Sequence, residues 1–208
     1  QVERLLPMEL AMYTSPATRM DFLRRFAEGQ TMQYEQTGKE ELGKGPIVLC
    51  LDQSGSMAGE KDSQAKGFAL ALMSIAKKQR RDFALILFST EVIRQEYKKG
   101  KITLGEMVKL AATFLDGGTS FVAPLEAALD TINKSRFKKA DIVFVTDGYA
   151  RLPEPFRLHF KEVQREKEFN VLSILIGDGQ ADTLELFSDR VVVAADLMDE
   201  KAHVAFEI

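Results

Sequence analysis

Residues Ile47–Met57 read IVLCLDQSGSM, an apolar run that ends in one aspartate and two serines. Five consecutive apolar residues are typical of a strand that is buried on both faces, as in a parallel sheet. The residues that follow such a strand lie at its carboxyl end, where open α/β sheets bind their ligands. Asp52, Ser54 and Ser56 all offer oxygen there, the ligand atom that hard divalent cations prefer. Gly55 is expected to let the loop bend so that both hydroxyls face one point.

Downstream of this run, buried strands alternate with segments of helical periodicity. The further strands are predicted at Phe83–Phe88, Val92–Tyr97, Asp141–Thr146, Val171–Ile176 and Arg190–Val193. The first helix is expected to begin at a cap, Asp62 or Ser63, and to run to about Lys78. The other helices are predicted at Leu104–Phe114, Val122–Asn133, Glu154–Lys167, Ala181–Phe187 and Asp196–Phe206. This alternation predicts a doubly wound, Rossmann-like α/β fold whose mostly parallel sheet has one antiparallel edge strand and helices on both faces.

The amino-terminal residues differ in character from this core. Ser15-Pro16 can cap and start a helix that carries Met20, Phe22, Leu23 and Phe26 and that ends at Gly29. A connector rich in glycine and lysine follows it. We therefore predict a helical extension over residues 1–44 and a single α/β domain over residues 45–208.

Composition limits the class of protein. The 208 residues are 45% hydrophobic and 28% charged, as in a soluble globular domain, and no apolar run approaches the roughly 18–20 residues of a membrane span. The net charge of −3 argues against broad nucleic-acid binding. The single cysteine, Cys50, excludes an internal disulfide and favours a reducing, cytoplasmic location, with inert packing as its expected role. A chain that begins with Gln1 is expected to be a fragment of a longer protein.

Two later loops are expected at the same carboxyl edge of the sheet. Thr119 lies in GGTS, and Asp147 follows the strand Asp141–Thr146 within VTDG. Mg²⁺ favours six oxygen ligands at about 2.0–2.1 Å and keeps some of its waters. Two serine hydroxyls and the Thr119 hydroxyl could bind it directly, and the two aspartates directly or through water. Mn²⁺ and Ca²⁺ accept similar oxygen shells.

The charges of such a site favour binding over catalysis. Two carboxylates only balance a divalent ion, and hydroxyls add no negative charge, so the ion stays attractive to a third carboxylate from outside. The site is therefore predicted to recruit an acidic side chain of a protein partner. We predict no enzymatic activity.

The motifs Asp52-x-Ser54-x-Ser56, Thr119 in GGTS and Asp147 in VTDG resemble the metal-ion-dependent adhesion site of von Willebrand factor A domains. The resemblance runs from about Gly45 to the carboxyl terminus and fills all five motif positions. It implies that the two serines and the threonine contact the metal and that the aspartates complete the shell, often through water.

The amino-terminal sequence FLRRFAEGQTMQYE, followed by GKGPIVLCLDQSGSM, is similar to bacterial intracellular members of this family. These include proteins that act with MoxR-type AAA+ ATPases, which implies that an ATPase of this type is a partner.

Two alternatives stay open at this point. One is a phosphotransferase of the haloacid dehalogenase type, with Asp52 as nucleophile and Asp147 as metal ligand. That family carries a second aspartate two residues after the nucleophile, where this chain has Ser54, so the general acid is missing. The other is a metal site that serves only the structure, with recognition elsewhere on the surface.

Overall fold

The computed structural model describes residues 18, 20–22, 24, 45–99, 101, 103, 105–106, 109, 115–177, 179 and 181–208. Within these residues the strands are β1 (Ile47–Asp52), β2 (Phe83–Phe88), β3 (Val92–Tyr97), β4 (Asp141–Thr146), β5 (Asn170–Ile176) and β6 (Arg190–Ala194). The α-helices are α1 (Glu60–Lys78), α2 (Val122–Ile132), α3 (Glu154–Lys167) and α4 (Asp182–Glu185). Three short 3₁₀ helices cover Gly55–Met57, Ser135–Phe137 and Glu200–Phe206.

The strands form one sheet in the order β3-β2-β1-β4-β5-β6. β3 runs antiparallel to β2 at one edge, and all other neighbouring strands run parallel. The predicted fold class, a mostly parallel sheet with one antiparallel edge strand, is confirmed. The central strands β1, β2 and β4 are almost wholly buried, because helices cover both faces of the sheet.

The core has two layers, and the alternation of side chains along β1 assigns residues to each. Ile47, Leu49 and Leu51 belong to the layer under α1 and the carboxyl-terminal 3₁₀ helix. Val48 and Cys50 belong to the layer under α2 and α3. Burial raises the pKa of the Cys50 thiol, which keeps it protonated, in line with the expected role in packing.

The predicted start of the first helix is wrong. α1 begins at Glu60, directly after Gly59, whose φ of 79° is a left-handed conformation that glycine adopts without strain. Asp62 does not cap the helix, because its carboxylate accepts hydrogen bonds from Gln53 Nε2 (3.0 Å) and Lys66 Nζ (2.6 Å). Ser63 lies inside the helix.

The predicted terminal helix Asp196–Phe206 is also corrected. Asp196 lies in a turn, where its carboxylate accepts from the backbone N–H groups of Met198 and Asp199. The helix is of 3₁₀ type, covers Glu200–Phe206, and is capped by Asp199, which accepts from Lys201 N. An aspartate that closes a turn with its own side chain delays the start of the helix.

Some predictions fall largely outside the described residues. These are the helix Leu104–Phe114 and the helix between Ser15 and Gly29. From the latter, Phe22 is described and is buried against the layer under α1. The division into residues 1–44 and 45–208 stays a prediction. None of the described helices has the length and apolar character needed to cross a membrane.

Candidate metal centre

The polar residues singled out in the sequence lie where the winding of the sheet reverses. From β1 the chain proceeds through β2 to β3 on one side, and β4 begins the series that proceeds to β6 on the other. β1 and β4 are therefore neighbours whose connections leave in opposite directions, which opens a crevice at their carboxyl ends. Asp52 is the last residue of β1, and Asp147 is the first residue after β4.

The loop after β1 places its two serine hydroxyls side by side. The backbone N–H of Ser54 donates to Asp52 Oδ1 (2.8 Å), which folds the loop back over the strand end. A 3₁₀ turn over Gly55–Met57, anchored by the buried Met57, then brings Ser54 Oγ and Ser56 Oγ to 3.2 Å. The two hydroxyls thus point into the same small volume.

Gly55 lies against the loop that carries Thr119 and does not bend the chain through a positive φ. It is not among the described glycines with positive φ. Its N–H donates to Gly117 O (2.9 Å), and a Cβ placed on it would lie 3.0 Å from Asp116 Oδ1. A side chain at this position would therefore crowd the Asp116 carboxylate, which would have to shift by a few tenths of an ångström.

Asp52 is held rigidly beneath the site. The residue has no exposed surface, and its Oδ2 accepts from Thr146 Oγ1 at 2.5 Å. Burial raises the pKa of the Asp52 carboxyl and the nearby Asp147 charge adds to this, while the hydrogen bonds from Thr146 and Ser54 lower it. A cation in the crevice would favour the ionised form, as any opposite charge does.

Asp147 joins the loop after β1 to the loop after β4. Its Oδ1 accepts from Ser56 Oγ (2.7 Å), and its Oδ2 binds Lys61 Nζ (2.5 Å). The side chain of Asp147 is only 2% exposed, whereas that of Lys61, on the first turn of α1, is 44% exposed. The carboxylate therefore faces the inside of the crevice, and the ammonium lies between it and solvent.

Thr119 lies beside this group. Ser120 N donates to Ser89 O (3.1 Å), and the buried ring of Phe121 packs edge-on against Phe144 of β4, with centroids 5.2 Å apart. These contacts place the threonine next to the loop after β4, since a Cβ on Gly148 would lie 3.4 Å from Thr119 Oγ1. The structure thus links Asp52, Ser54, Ser56 and Asp147 by hydrogen bonds and sets Thr119 against Gly148. That these five side chains bind a metal stays a prediction.

Two residues of the site, Thr146 and Lys61, were not found from the sequence. Thr146 accepts from Gly148 N (3.0 Å) while it donates to Asp52, so one hydroxyl fixes both loop ends. The sequence could have indicated Thr146, because it is a polar residue at the carboxyl end of an otherwise apolar strand. Lys61 carried no such signal, since a lysine in a first helical turn usually faces solvent.

The donor set fits a hard cation. Among the described residues, no group of three or more His, Cys, Asp or Glu side chains could hold a metal, so an ion here would depend on the serine and threonine hydroxyls. Hydroxyl and carboxylate oxygens suit Mg²⁺, Mn²⁺ or Ca²⁺. The Lys61 ammonium already pairs with Asp147, so a cation that binds this carboxylate meets a positive charge beside it.

Comparison with known proteins assigns the family. Residues 47–150, which include all five predicted ligands, match the family described as von Willebrand factor type A domain. The chain belongs to this family. Structures of von Willebrand factor type A domains share its fold: that from Catenulispora acidiphila superposes with a TM-score of 0.62 at 15% identity, over 79% of this chain and 42% of the other.

A second structure of the same fold, proximal thread matrix protein 1 of the mussel byssus, has a zinc-occupied MIDAS motif. It matches with a TM-score of 0.62 at 16% identity, over 78% of this chain and 46% of the other. MIDAS is the abbreviation for the metal-ion-dependent adhesion site of von Willebrand factor type A domains.

Relatives of this von Willebrand factor type A domain occur in archaea and bacteria. An uncharacterised protein of Methanocaldococcus jannaschii is 34% identical over 99% of this chain and 47% of its own length. The regulatory protein ViaA of Proteus mirabilis is 32% identical over 88% of this chain and 41% of its own length. The chain thus spans about half the length of the curated relatives it matches.

Proposed function

We propose that this von Willebrand factor type A domain is a non-enzymatic interaction module that binds a carboxylate of a protein partner through a divalent cation. Ser54, Ser56 and Thr119 would contact the ion, with Asp52 and Asp147 completing the shell directly or through water. The observation that carries the proposal is the chain of short contacts Ser54–Ser56–Asp147 between two loops that are 91 residues apart. Such convergence of oxygens at a sheet switch point is typical of a ligand site.

The charges of the site explain why an ion there would seek an outside acid. Asp52 and Asp147 together neutralise a divalent ion, and the hydroxyls donate lone pairs without adding charge. A protein of the same fold, the mussel thread protein, binds zinc in its MIDAS motif, which supports a divalent ion here. We propose Mg²⁺ as the ion, with Mn²⁺ or Ca²⁺ as chemically compatible substitutes.

The phosphotransferase alternative is disfavoured by the state of Asp52. A nucleophilic carboxylate needs an oxygen that a phosphate ester can reach, which demands far more room than contact with a small ion or its water, and Asp52 has no exposed surface. Both of its oxygens already accept hydrogen bonds, from Ser54 N and Thr146 Oγ1. Ser54 also cannot replace the carboxylic acid that would protonate a leaving group.

The nature of the partner rests on the relatives. The resemblance to proteins that act with MoxR-type AAA+ ATPases, together with the match to a regulatory protein of Proteus mirabilis, supports an adaptor that modulates such an ATPase. We propose a cytoplasmic location, in keeping with the single reduced cysteine. The partner's contribution is an aspartate or glutamate that reaches the ion.

The first test of the proposal measures Mg²⁺ binding by a variant that lacks one proposed ligand. Thr119→Val keeps the shape of the side chain and removes one ligand oxygen. We expect Mg²⁺ affinity, measured by calorimetry, to fall about tenfold or more, as for the loss of a strong polar contact, with little change in melting temperature. Thr90→Val is the matched control, since Thr90 lies in the same edge region but outside the proposed shell, and it should bind Mg²⁺ like the wild type.

Partner binding by the same variants distinguishes a metal that binds the partner from a metal that serves only the structure. Pull-downs from native extract with the full-length protein should retain an ATPase with Mg²⁺ and lose it with EDTA or in Thr119→Val. A complex that survives both EDTA and the substitution would contradict the proposal and favour the structural alternative. Unchanged Mg²⁺ affinity in Thr119→Val would remove this threonine from the shell.

A further inference from the structure

The ion pair between Lys61 and Asp147 has a consequence for any metal at this edge. The ammonium lies 2.5 Å from Asp147 Oδ2, while Oδ1 is taken by the Ser56 hydroxyl. Both oxygens of a proposed ligand are thus bound by the chain's own donors. A metal that binds Asp147 on this side must first displace the lysine.

The surroundings of Lys61 leave Asp147 as its ionic partner. The neighbouring acid on α1, Asp62, is bound by Lys66 Nζ at 2.6 Å, a contact in which both side chains are largely buried. Lys61 itself stands in the first turn of α1, where the partial positive charge of the helix end disfavours a cation. An ammonium in this position is stabilised mainly by the acid across the crevice.

We infer that Lys61 is a tethered cation that competes with the divalent ion for Asp147 and thereby sets the metal affinity of the site. The inference rests on the proposed function. The competition is feasible because the lysine side chain is 44% exposed and flexible, so it can move into solvent, whereas the 2% exposed Asp147 side chain stays in place. The lysine therefore weakens metal binding at Asp147.

The first test is calorimetric titration of the chain with MgCl₂ in four forms. Lys61→Met removes the charge and keeps a good helix former, and we expect it to bind Mg²⁺ about two- to fivefold more tightly, the range of a partly exposed ion pair. Lys61→Arg keeps the charge and should stay near the wild type. Lys78→Met, at the other end of α1 and about 25 Å away, controls for the change in net charge and should also stay near the wild type.

A second measurement uses the unaltered protein. Acetylation of lysine amines, followed by mass spectrometry, should show faster modification of Lys61 when Mg²⁺ is present. A side chain released from the ion pair gives its proton to solvent and exposes the neutral amine to the reagent, whereas an ammonium held by Asp147 does not react. Lys78 should react at one rate with and without Mg²⁺. An acetylation rate of Lys61 that is the same with and without Mg²⁺ would overturn the inference, since it would mean that the metal leaves the ion pair intact.

The results separate a failure of the lysine competition from a failure of the metal site. Equal Mg²⁺ affinity in the wild type, Lys61→Met and Lys61→Arg would refute the competition and leave the metal site standing. No Mg²⁺ binding in any form, including Lys61→Met, would refute the proposed function itself and with it the inference.

Discussion

Asp52 shows how the site depends on single hydrogen bonds. A carboxylate with no exposed surface is stable only when donors satisfy its oxygens, and here Ser54 N and Thr146 Oγ1 do so. The sequence pattern predicted that Asp52 lies near two serines, because the three residues share one short loop. It did not reveal Thr146, which lies 94 residues away and reaches Asp52 only because β4 pairs with β1.

Replacing Thr146 by valine should destabilise the fold. The change conserves shape but leaves Asp52 Oδ2 buried without its donor and removes the acceptor of Gly148 N. We expect the free energy of unfolding to fall by about 1–3 kcal/mol, the usual cost of an unsatisfied buried polar group. Urea denaturation followed by circular dichroism measures this change.

Thr131→Val provides the comparison for this variant. Thr131 is equally buried, but its hydroxyl donates to Ala127 O, a carbonyl one turn earlier in the same helix. Its loss should cost less than about 1 kcal/mol, because no buried charge is left without a donor. Equal effects of the two substitutions would show that the Asp52 contact adds nothing special to stability.

At the scale of elements, the strands were predicted more accurately than the helices. β1 to β6 all lie within about a residue of their predicted bounds, since the buried strands are continuous apolar runs with sharp ends. Helix starts were less certain, because aspartates such as Asp62 and Asp196 have capping chemistry but use it in other contacts. The pairing of Asp147 with Lys61 was beyond prediction for a related reason: it depends on how α1 lies across the sheet.

The carboxyl-terminal 3₁₀ helix should make stability depend on pH. The ring of His203 stacks on Phe206, with centroids 5.3 Å apart, and Phe206 packs on Phe68 of α1. Burial lowers the pKa of His203 below its ordinary value of about 6.5, an effect that the Glu200 and Asp199 charges only partly offset. The unfolded chain therefore takes up a proton first, and stability that is fully present above about pH 6.5 is lost as the pH falls through the folded pKa.

Melting temperatures between pH 7.5 and 5 test this dependence. The wild type should melt at progressively lower temperature as the pH falls through this range, and His203→Gln should show a flatter profile. The chain has one other histidine, the exposed His159, so His159→Gln should retain the wild-type slope. A slope in His203→Gln as steep as in the wild type would assign the effect to other groups.

In the whole molecule, the two ends of the parallel strands have different roles. The carboxyl ends of β1 and β4 form the polar crevice. At their amino ends lies the amino-edge clasp, the set of hydrogen bonds that the buried side chain of Arg81, 3% exposed, makes with neighbouring segments. Its guanidinium donates to Gly45 O before β1, to Asp141 Oδ2 at the start of β4 and to Ile208 O. Since six-residue strands span about 20 Å, the clasp and the crevice lie too far apart to touch.

Arg81→Met should therefore reduce stability without changing metal affinity. The substitution removes the Arg81 donor from Asp141 Oδ2 and from two backbone carbonyls, while Asp141 Oδ1 keeps its donor Asn170 Nδ2. We expect a loss of about 2–4 kcal/mol in the free energy of unfolding, because the pair with the buried guanidinium is broken. Arg157→Met, which removes a surface pair with Glu154, should cost less than about 1 kcal/mol. At temperatures where each variant is folded, Mg²⁺ affinity should stay within about twofold of the wild type, since a factor of two is only about 0.4 kcal/mol. A variant that is destabilised and also loses metal affinity would show that the amino-edge clasp and the crevice are energetically coupled through the strands β1 and β4 that join them.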